Sequence, residues 1–310
     1  MDLSVINPVQ ILVALIIAAT PLLFAALGEL VVEKAGVLNL GVEGMMIVGA
    51  IGGFATALAT DSLILAVLAG ASAGAALSLL FALMTQYLMS NQVATGLALT
   101  LFGLGIASLA GQGYAGVTID VAVRLDIPGL TDLPVIGPLI FGHDPLIYLS
   151  IAMAIGVWWF LNRTRAGLNL RAIGENHDAA HAIGYSVRLT RVAAIMFGGA
   201  MAGIGGAYLA IIQTPLWVEG MTAGRGWIAL AIVVFAAWKP GRALIGAYLF
   251  GGVTIIQLNL QALGVPIESQ YLSMTPYLAT IIVLVVISAD KARARLNAPA
   301  CLGKPFYASS

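Results

Sequence analysis

Uncharged apolar runs of roughly 20 residues recur from one end of this sequence to the other, and they fix the class of fold before any motif is read. A helix needs roughly 20 apolar residues to cross about 30 Å of hydrocarbon, and inside that layer each backbone polar group must be satisfied within the segment. Hydrophobic residues make up 60% of the 310 and charged residues 9%, more apolar surface than one water-soluble core of this length can use. The expectation is an all-α polytopic membrane protein of about nine transmembrane helices, near 9–28, 36–60, 63–85, 92–111, 145–161, 191–212, 227–238, 243–262 and 275–289. The seventh is short for a crossing, and starting it near Met221 would place Arg225 at the interface. Asp2 with no basic residue precedes the first run, unlike the positive start of a secretory signal, so that run is expected to be a retained span.

Orientation follows from the 14 Lys and Arg residues, because positive charge is held on the cytoplasmic side during insertion. Nine spans with the N-terminus outside and the C-terminus cytoplasmic leave Lys34, Arg163, Arg165, Arg171, Arg188, Arg191, Lys239, Arg242, Lys291, Arg293, Arg295 and Lys304 inside, against Arg124 and Arg225 outside. The 112–144 connection is then an external loop carrying Asp120, Asp126, Asp132 and Asp144. The whole of 1–310 is expected to form a single transmembrane domain, with a cytoplasmic loop at 162–190 and a cytoplasmic tail at 290–310.

Within the 162–190 loop, Asn176 is placed to cap a short helix through Ile183, Asp178 sits in its positive first turn, and Gly184 ends it. Such a helix between two spans can dock a partner and pass its motion to the membrane; an ordinary connecting turn is the plainer alternative. Glycine pairs at small-xxx-small spacing, Gly49 with Gly53, Gly70 with Gly74 and Gly199 with Gly203, signal close helix packing.

The segment Asp178-Ala-Ala-x-x-x-Gly184 resembles the EAA loop of ABC importer permeases, whose coupling helix seats in a cleft of the ATPase subunit. Gly28-Glu-Leu-Val-Val-Glu-Lys-Ala-Gly-Val-Leu-Asn-Leu-Gly-Val-Glu-Gly44, Arg171-Ala-Ile-Gly-Glu-Asn176 and Trp238-Lys-Pro-Gly-Arg242 resemble the permeases of ribose, nucleoside and branched-chain amino acid importers. The first stretch is most similar to the simple-sugar branch, which works with nucleoside-binding lipoproteins, and the resemblance runs from about residue 10 to 290. It implies a permease subunit of the bacterial inner membrane that forms half of a translocation pathway for nucleosides or simple sugars, with branched-chain amino acids as the alternative cargo. It also implies three partners: a second, distinct permease chain, a cytoplasmic ABC ATPase and an external substrate-binding protein. Coupling to the ATPase would fall to Gly174, Glu175, Asn176, Asp178, Ala179, Ala180 and Gly184. His177 and His181 depart from the family pattern, where Pro and a basic residue are usual, which could retune that contact.

Other chemistry finds little support. The only Gly-Lys pair, Gly303-Lys304, is followed by Pro305, so no ATP phosphate loop is present and no enzymatic activity is expected of this chain. Gly111-Gln-Gly-Tyr-Ala-Gly116 matches a dinucleotide pattern by letter alone, following an apolar span where the motif needs a strand. His177 and His181 are four residues apart without an evident third ligand and are expected to face solvent on their helix, so no metal and no cofactor are expected. Zero net charge with dispersed cations gives no nucleic-acid footprint, and the sole Cys301 excludes an intrachain disulfide.

The solute path should show itself as polar groups and broken helix at membrane depth. Four places qualify: Asn39 with Glu43 in a Gly-interrupted stretch; Asn91, Gln92 and Thr95; Gln257 and Gln261 on one helical face, with Asn259 nearly opposite; and the Pro- and Gly-broken 213–226 segment with Trp217 and Glu219. Each can equally be a contact between helices. A proton- or sodium-coupled carrier is the competing reading, and Glu43 is nearly its only candidate for a mid-membrane relay.

Overall fold

The computed structural model describes residues 7–121, 124–126, 128–263, 268–289 and 297–307. The helices are α1 (Pro8–Lys34), α2 (Val42–Thr60), α3 (Leu63–Ala82), α4 (Gln92–Gly111), α5 (Ile136–Ile140), α6 (Pro145–Arg163), α7 (Arg165–Glu175), α8 (His177–Ala182), α9 (Val187–Tyr208), α10 (Arg225–Phe235), α11 (Pro240–Ala262), α12 (Ser269–Ser273) and α13 (Thr275–Ala289). Single wider turns extend α3 to Tyr87 and α9 to Gln213. Among the described residues, 7 helical segments are long and apolar enough to cross a membrane: Pro8–Lys34, Val42–Thr60, Leu63–Tyr87, Gln92–Tyr114, Pro145–Arg163, Val187–Gln213 and Pro240–Ala262. The other two expected spans coincide with α10, of 11 residues, and α13, of 15. At 1.5 Å per residue these reach only ~16 and ~22 Å, short of a full hydrocarbon layer.

Boundaries differ from the sequence expectation where a charged residue is buried with a partner. Hydropathy ends the first span at Gly28, ahead of Glu29; α1 instead continues to Lys34 because both of its carboxylates are engaged. Glu29 accepts from the Asn39 backbone N–H (3.3 Å) and from Asn39 Nδ2 (3.5 Å), and Glu33 accepts from Trp238 Nε1 (2.5 Å). The next helix begins at Val42, six residues later than expected, and 35–41 is an irregular segment with Val37 and Asn39 fully buried.

At the centre α9 packs against α1, α2 and α3, and the three glycine pairs explain how it fits. A Cβ on Gly49 would overlap the Gly203 backbone, one on Gly74 would overlap the Gly199 carbonyl, and one on Gly70 would stand 2.6 Å from the Ala207 Cβ. The pairs on α2, α3 and α9 thus interlock with one another, and backbones approach at distances only Gly permits. Residues 290–296 and 308–310 of the expected tail, with Lys291, Arg293 and Arg295, lie outside the described residues.

Candidate functional site

Two interrupted helices meet at Glu43. The 214–224 segment is irregular, and α10 opens at Gly224 in the left-handed region (φ 80°) without a capping side chain of its own. Glu43 supplies that cap from the first turn of α2. Its Oε1 accepts from the Gly224 N–H (2.8 Å) and Thr222 Oγ1 (2.6 Å), and its Oε2 accepts from the Gly226 N–H (2.7 Å). The carboxylate therefore occupies the positive end of α10, where the first N–H groups have no partner within the helix. Gly226 is required here, since a Cβ would stand 2.5 Å from the Glu43 backbone. Neighbouring Gly44 abuts Leu99 and Thr100, and Gly103 abuts Gly44, so the junction lies level with the middle of α4.

Below this junction, the 35–41 segment is fastened by the other polar residues singled out in the sequence. Asn39 Oδ1 accepts from the Gly41 N–H (2.9 Å), and Gln92 Oε1 accepts from the Leu38 N–H (2.8 Å), while Thr100 Oγ1 donates to the Leu40 carbonyl (3.1 Å). Asn91 caps α4 through the Ala94 N–H (3.0 Å), and Thr95 Oγ1 lies 2.9 Å from Ser90 Oγ. Asn39, Gln92 and Thr95 are buried. Gln92 Nε2 is buried without a hydrogen-bond partner among the described residues.

Trp217 and Glu219 belong to the opposite end of α4. Trp217 is buried against Gly111, where a Cβ would overlap its indole, and Glu219 Oε1 accepts from Ser108 Oγ (2.6 Å). Backbone pairing of Ala115 with Trp217 and Thr118 with Leu216 ties this segment to the 112–144 connection. Gln257 and Gln261 lie half-buried on α11, with Asn259 bonded to its own helix through Ile255 (2.8 Å). The polar residues thus form separate groups rather than one site.

The short helix expected around 176–183 is α8. Asn176 Oδ1 accepts from the Ala179 N–H (3.0 Å), and Gly184 follows with φ 94°, in the left-handed region that ends helices. Its two faces differ. Asp178, Ala179 and Ile183 are exposed, whereas Ala180 packs with Ile173, Val187 and Phe306. Gly174 is also internal, its carbonyl accepting from the Cys301 N–H (2.9 Å) and a Cβ there overlapping the Lys34 carbonyl, while Glu175 is exposed. Gly174 and Ala180 thus build the platform rather than the surface.

Arg191 and Phe306 are the residues that motif reading missed. Arg191 is fully buried and donates to the carbonyls of Ala35 (3.1 Å) and Lys304 (3.1 Å) and to His177 Nδ1 (3.1 Å). His177 does not face solvent as expected but is buried, because Arg191 and Phe306 cover it; Phe306 meets the rings of His177 and His181 edge-on, with centroids 5.4 and 5.2 Å away. The Gly303 N–H donates to the Gly36 carbonyl (3.2 Å) and Lys34 Nζ to the Asn297 carbonyl (2.8 Å), so 297–307 is laid across the base of α8. A positive charge at the start of an apolar helix was the available signal for Arg191; Phe306 gave none, since its partners are distant in sequence.

Residues 11–288 match the family model described as the branched-chain amino acid transport system / permease component. This chain belongs to that family. It is 40% identical to TsgC13 of Haloferax volcanii, an ABC transporter permease protein provisionally named for glucose, over 92% of this chain and 93% of that one. It is 35% identical to the nucleoside ABC transporter permease protein NupC of Lactococcus lactis, over 91% and 93% of the two chains. The guanosine ABC transporter permease protein NupQ of Bacillus subtilis is 32% identical, over 98% and 97%. No solved structure matches. With its apolar spans, the chain is a multi-pass ABC transporter permease of the plasma membrane.

Proposed function

We propose that this chain forms half of the translocation pathway of an ATP-driven importer for nucleosides or simple sugars, and docks a separate ATPase through α8. The observation that carries the coupling role is the two-sided construction of α8: an exposed Asp178, Ala179 and Ile183 face mounted on a buried Ala180 and Phe306 platform. A short helix fixed this firmly to α7, α9 and the tail transmits a push to the spans instead of absorbing it. A second permease chain completes the pathway and an external binding protein delivers the cargo.

The topology of the proposal has nine membrane segments, α10 and α13 included, with the N-terminus outside and the α7–α8 end in the cytoplasm. Lys34, Arg171, Arg191, Lys239 and Lys304 gather toward that end, in keeping with retention of positive charge inside. The Glu43 cap supports a neutral cargo. In transporters the exposed positive ends of broken helices receive anionic groups of the substrate; here the chain's own carboxylate fills that position, leaving uncharged groups such as Gln92 Nε2 and the half-buried Gln257 for a solute with hydroxyl groups. The names of TsgC13, NupC and NupQ agree with that class.

The test is solute-stimulated ATPase activity of the reconstituted complex carrying Asp178→Lys with Ala179→Lys. Both positions are exposed, so insertion should be normal while stimulation and uptake are lost; full activity would remove α8 from the coupling path.

A further inference from the structure

A second basic feature lies beside α8, and of its cations only Lys34 takes part in a contact described so far. Between α6, α7 and the start of α11 is a cavity of about 470 Å³ lined by Lys34, Arg171, Lys239 and Arg242, with Trp158 and Trp238 in its walls and no carboxylate among the described residues that line it. The nearest acids do not cancel this charge. Glu175 and Glu33 act on Lys34, and Glu33 also accepts from Trp238 Nε1, so two carboxylates stand against four cations. Arg171 Nε is buried without a hydrogen-bond partner among the described residues. The first turn of α11 has no capping side chain, so its N–H groups at Gly241 add to the positive field.

Apolar stripes lead away from the cavity along both of its helical walls. On α6, Trp158 continues into Ile155 and Ile151; on α11, Arg242 continues into Ile245 and Leu249. All five apolar side chains are exposed and fall at helical spacing on the face that borders the cavity. Four cations at the head of an apolar furrow, with tryptophans where they meet, match a molecule with an anionic head and long hydrocarbon chains. Basic pockets between spanning helices are of this kind.

We propose that this cavity binds the headgroup phosphate of an anionic phospholipid of the cytoplasmic leaflet, with its acyl chains along the α6–α11 furrow. The leaflet rests on the topology proposed above; the lipid class rests on the cavity itself. A lipid seated here bridges α7 and the α10–α11 turn, and so braces the base of α8 against α11.

Native mass spectrometry of the full chain in detergent, titrated with phosphatidylglycerol or phosphatidylcholine of matched acyl chains, tests the lipid class. The expected result is phosphatidylglycerol retention on the order of tenfold stronger, lost in Lys239→Gln with Arg242→Gln and kept in Lys239→Arg with Arg242→Lys. Lys239 and Arg242 are exposed, so these variants should fold. Inorganic phosphate should leave the lipid bound. Equal retention of the two lipids, a preference that survives the Gln variants, or displacement by inorganic phosphate would overturn the assignment. Labelling of Lys239→Cys by an impermeant maleimide only after permeabilisation would support the leaflet. Labelling in intact cells would overturn the leaflet together with the topology, while the detergent experiment still reads the lipid class.

Discussion

Arg191 reaches His177 across the base of the bundle, its Nη2 3.1 Å from the imidazole Nδ1. Guanidinium has no acceptor, so His177 Nδ1 accepts and the ring is neutral, carrying its proton on Nε2. The same guanidinium holds the carbonyls of Ala35 and Lys304, so one side chain joins α9 to α8, to the 35–41 segment and to the tail. Arg191→Met should orphan three acceptors at about 1–3 kcal/mol each. The expected outcome is a lowered Tm and rapid proteolytic removal of the tail; unchanged protection of 297–307 would contradict the latch.

Burial and the Arg191 charge hold the His177 pKa below its ordinary value of 6.5. An unfolded chain then takes up a proton at this position before the folded one does. The contribution of His177 is therefore complete above about pH 6.5 and declines as pH falls through that value toward the lower folded pKa. Thermal stability of the detergent-solubilised protein should drop between neutral pH and mildly acidic pH. In His177→Gln, whose amide oxygen can still accept from Arg191, that part of the pH dependence should vanish. An identical slope in the two proteins would assign it elsewhere.

The glycine interlock predicts a sharp positional contrast. A Cβ on Gly206 would overlap the Met46 carbonyl and one on Gly74 the Gly199 carbonyl, whereas one on Gly105 meets nothing within 4 Å. Gly206→Val and Gly74→Val should abolish stable membrane expression, since backbone cannot yield as a flexible side chain can. Gly105→Ala on α4 should express normally. Fluorescence-detected size exclusion of tagged variants distinguishes the three.

Glu43→Gln replaces one acceptor oxygen with an NH₂ that faces donors at Thr222, Gly224 or Gly226. A cost of about 1–3 kcal/mol is expected from the lost bond and the opposed donor. Uptake should weaken yet stay ATP-dependent and insensitive to a protonophore. Abolition of a proton-driven flux, measured with no ATPase present, would instead make Glu43 a relay.

Much of the fold was legible because lipid imposes a strong pattern: seven of the expected spans correspond to long apolar helices, and the Asn176 cap and Gly184 stop gave α8 nearly to the residue. The errors share a physical cause. Hydropathy counts Glu29, Glu33 and Arg191 as boundary markers, but each is buried with a partner, 10 residues away for Glu29 and 205 and 156 away for Glu33 and Arg191, and a hydropathy average does not register such pairs. The broken stretches at 35–41 and 214–224 were visible in their Gly and Pro content; that Glu43, just after the first, caps the helix that follows the second was not, because 179 residues separate Glu43 from Thr222. Polarity likewise singled out Asn39, Asn91 and Gln92 without revealing that they fasten a loop and a helix end.

The most direct test of the account is photo-cross-linking from position 178 of the tagged chain in its native membrane, followed by capture and mass spectrometry. A cross-link to a polypeptide carrying a Gly-Lys-Ser or Gly-Lys-Thr phosphate loop, recovered with a second polytopic chain, is the predicted result. A chain recovered alone, and competent for ion-driven uptake without ATP once reconstituted, would contradict it.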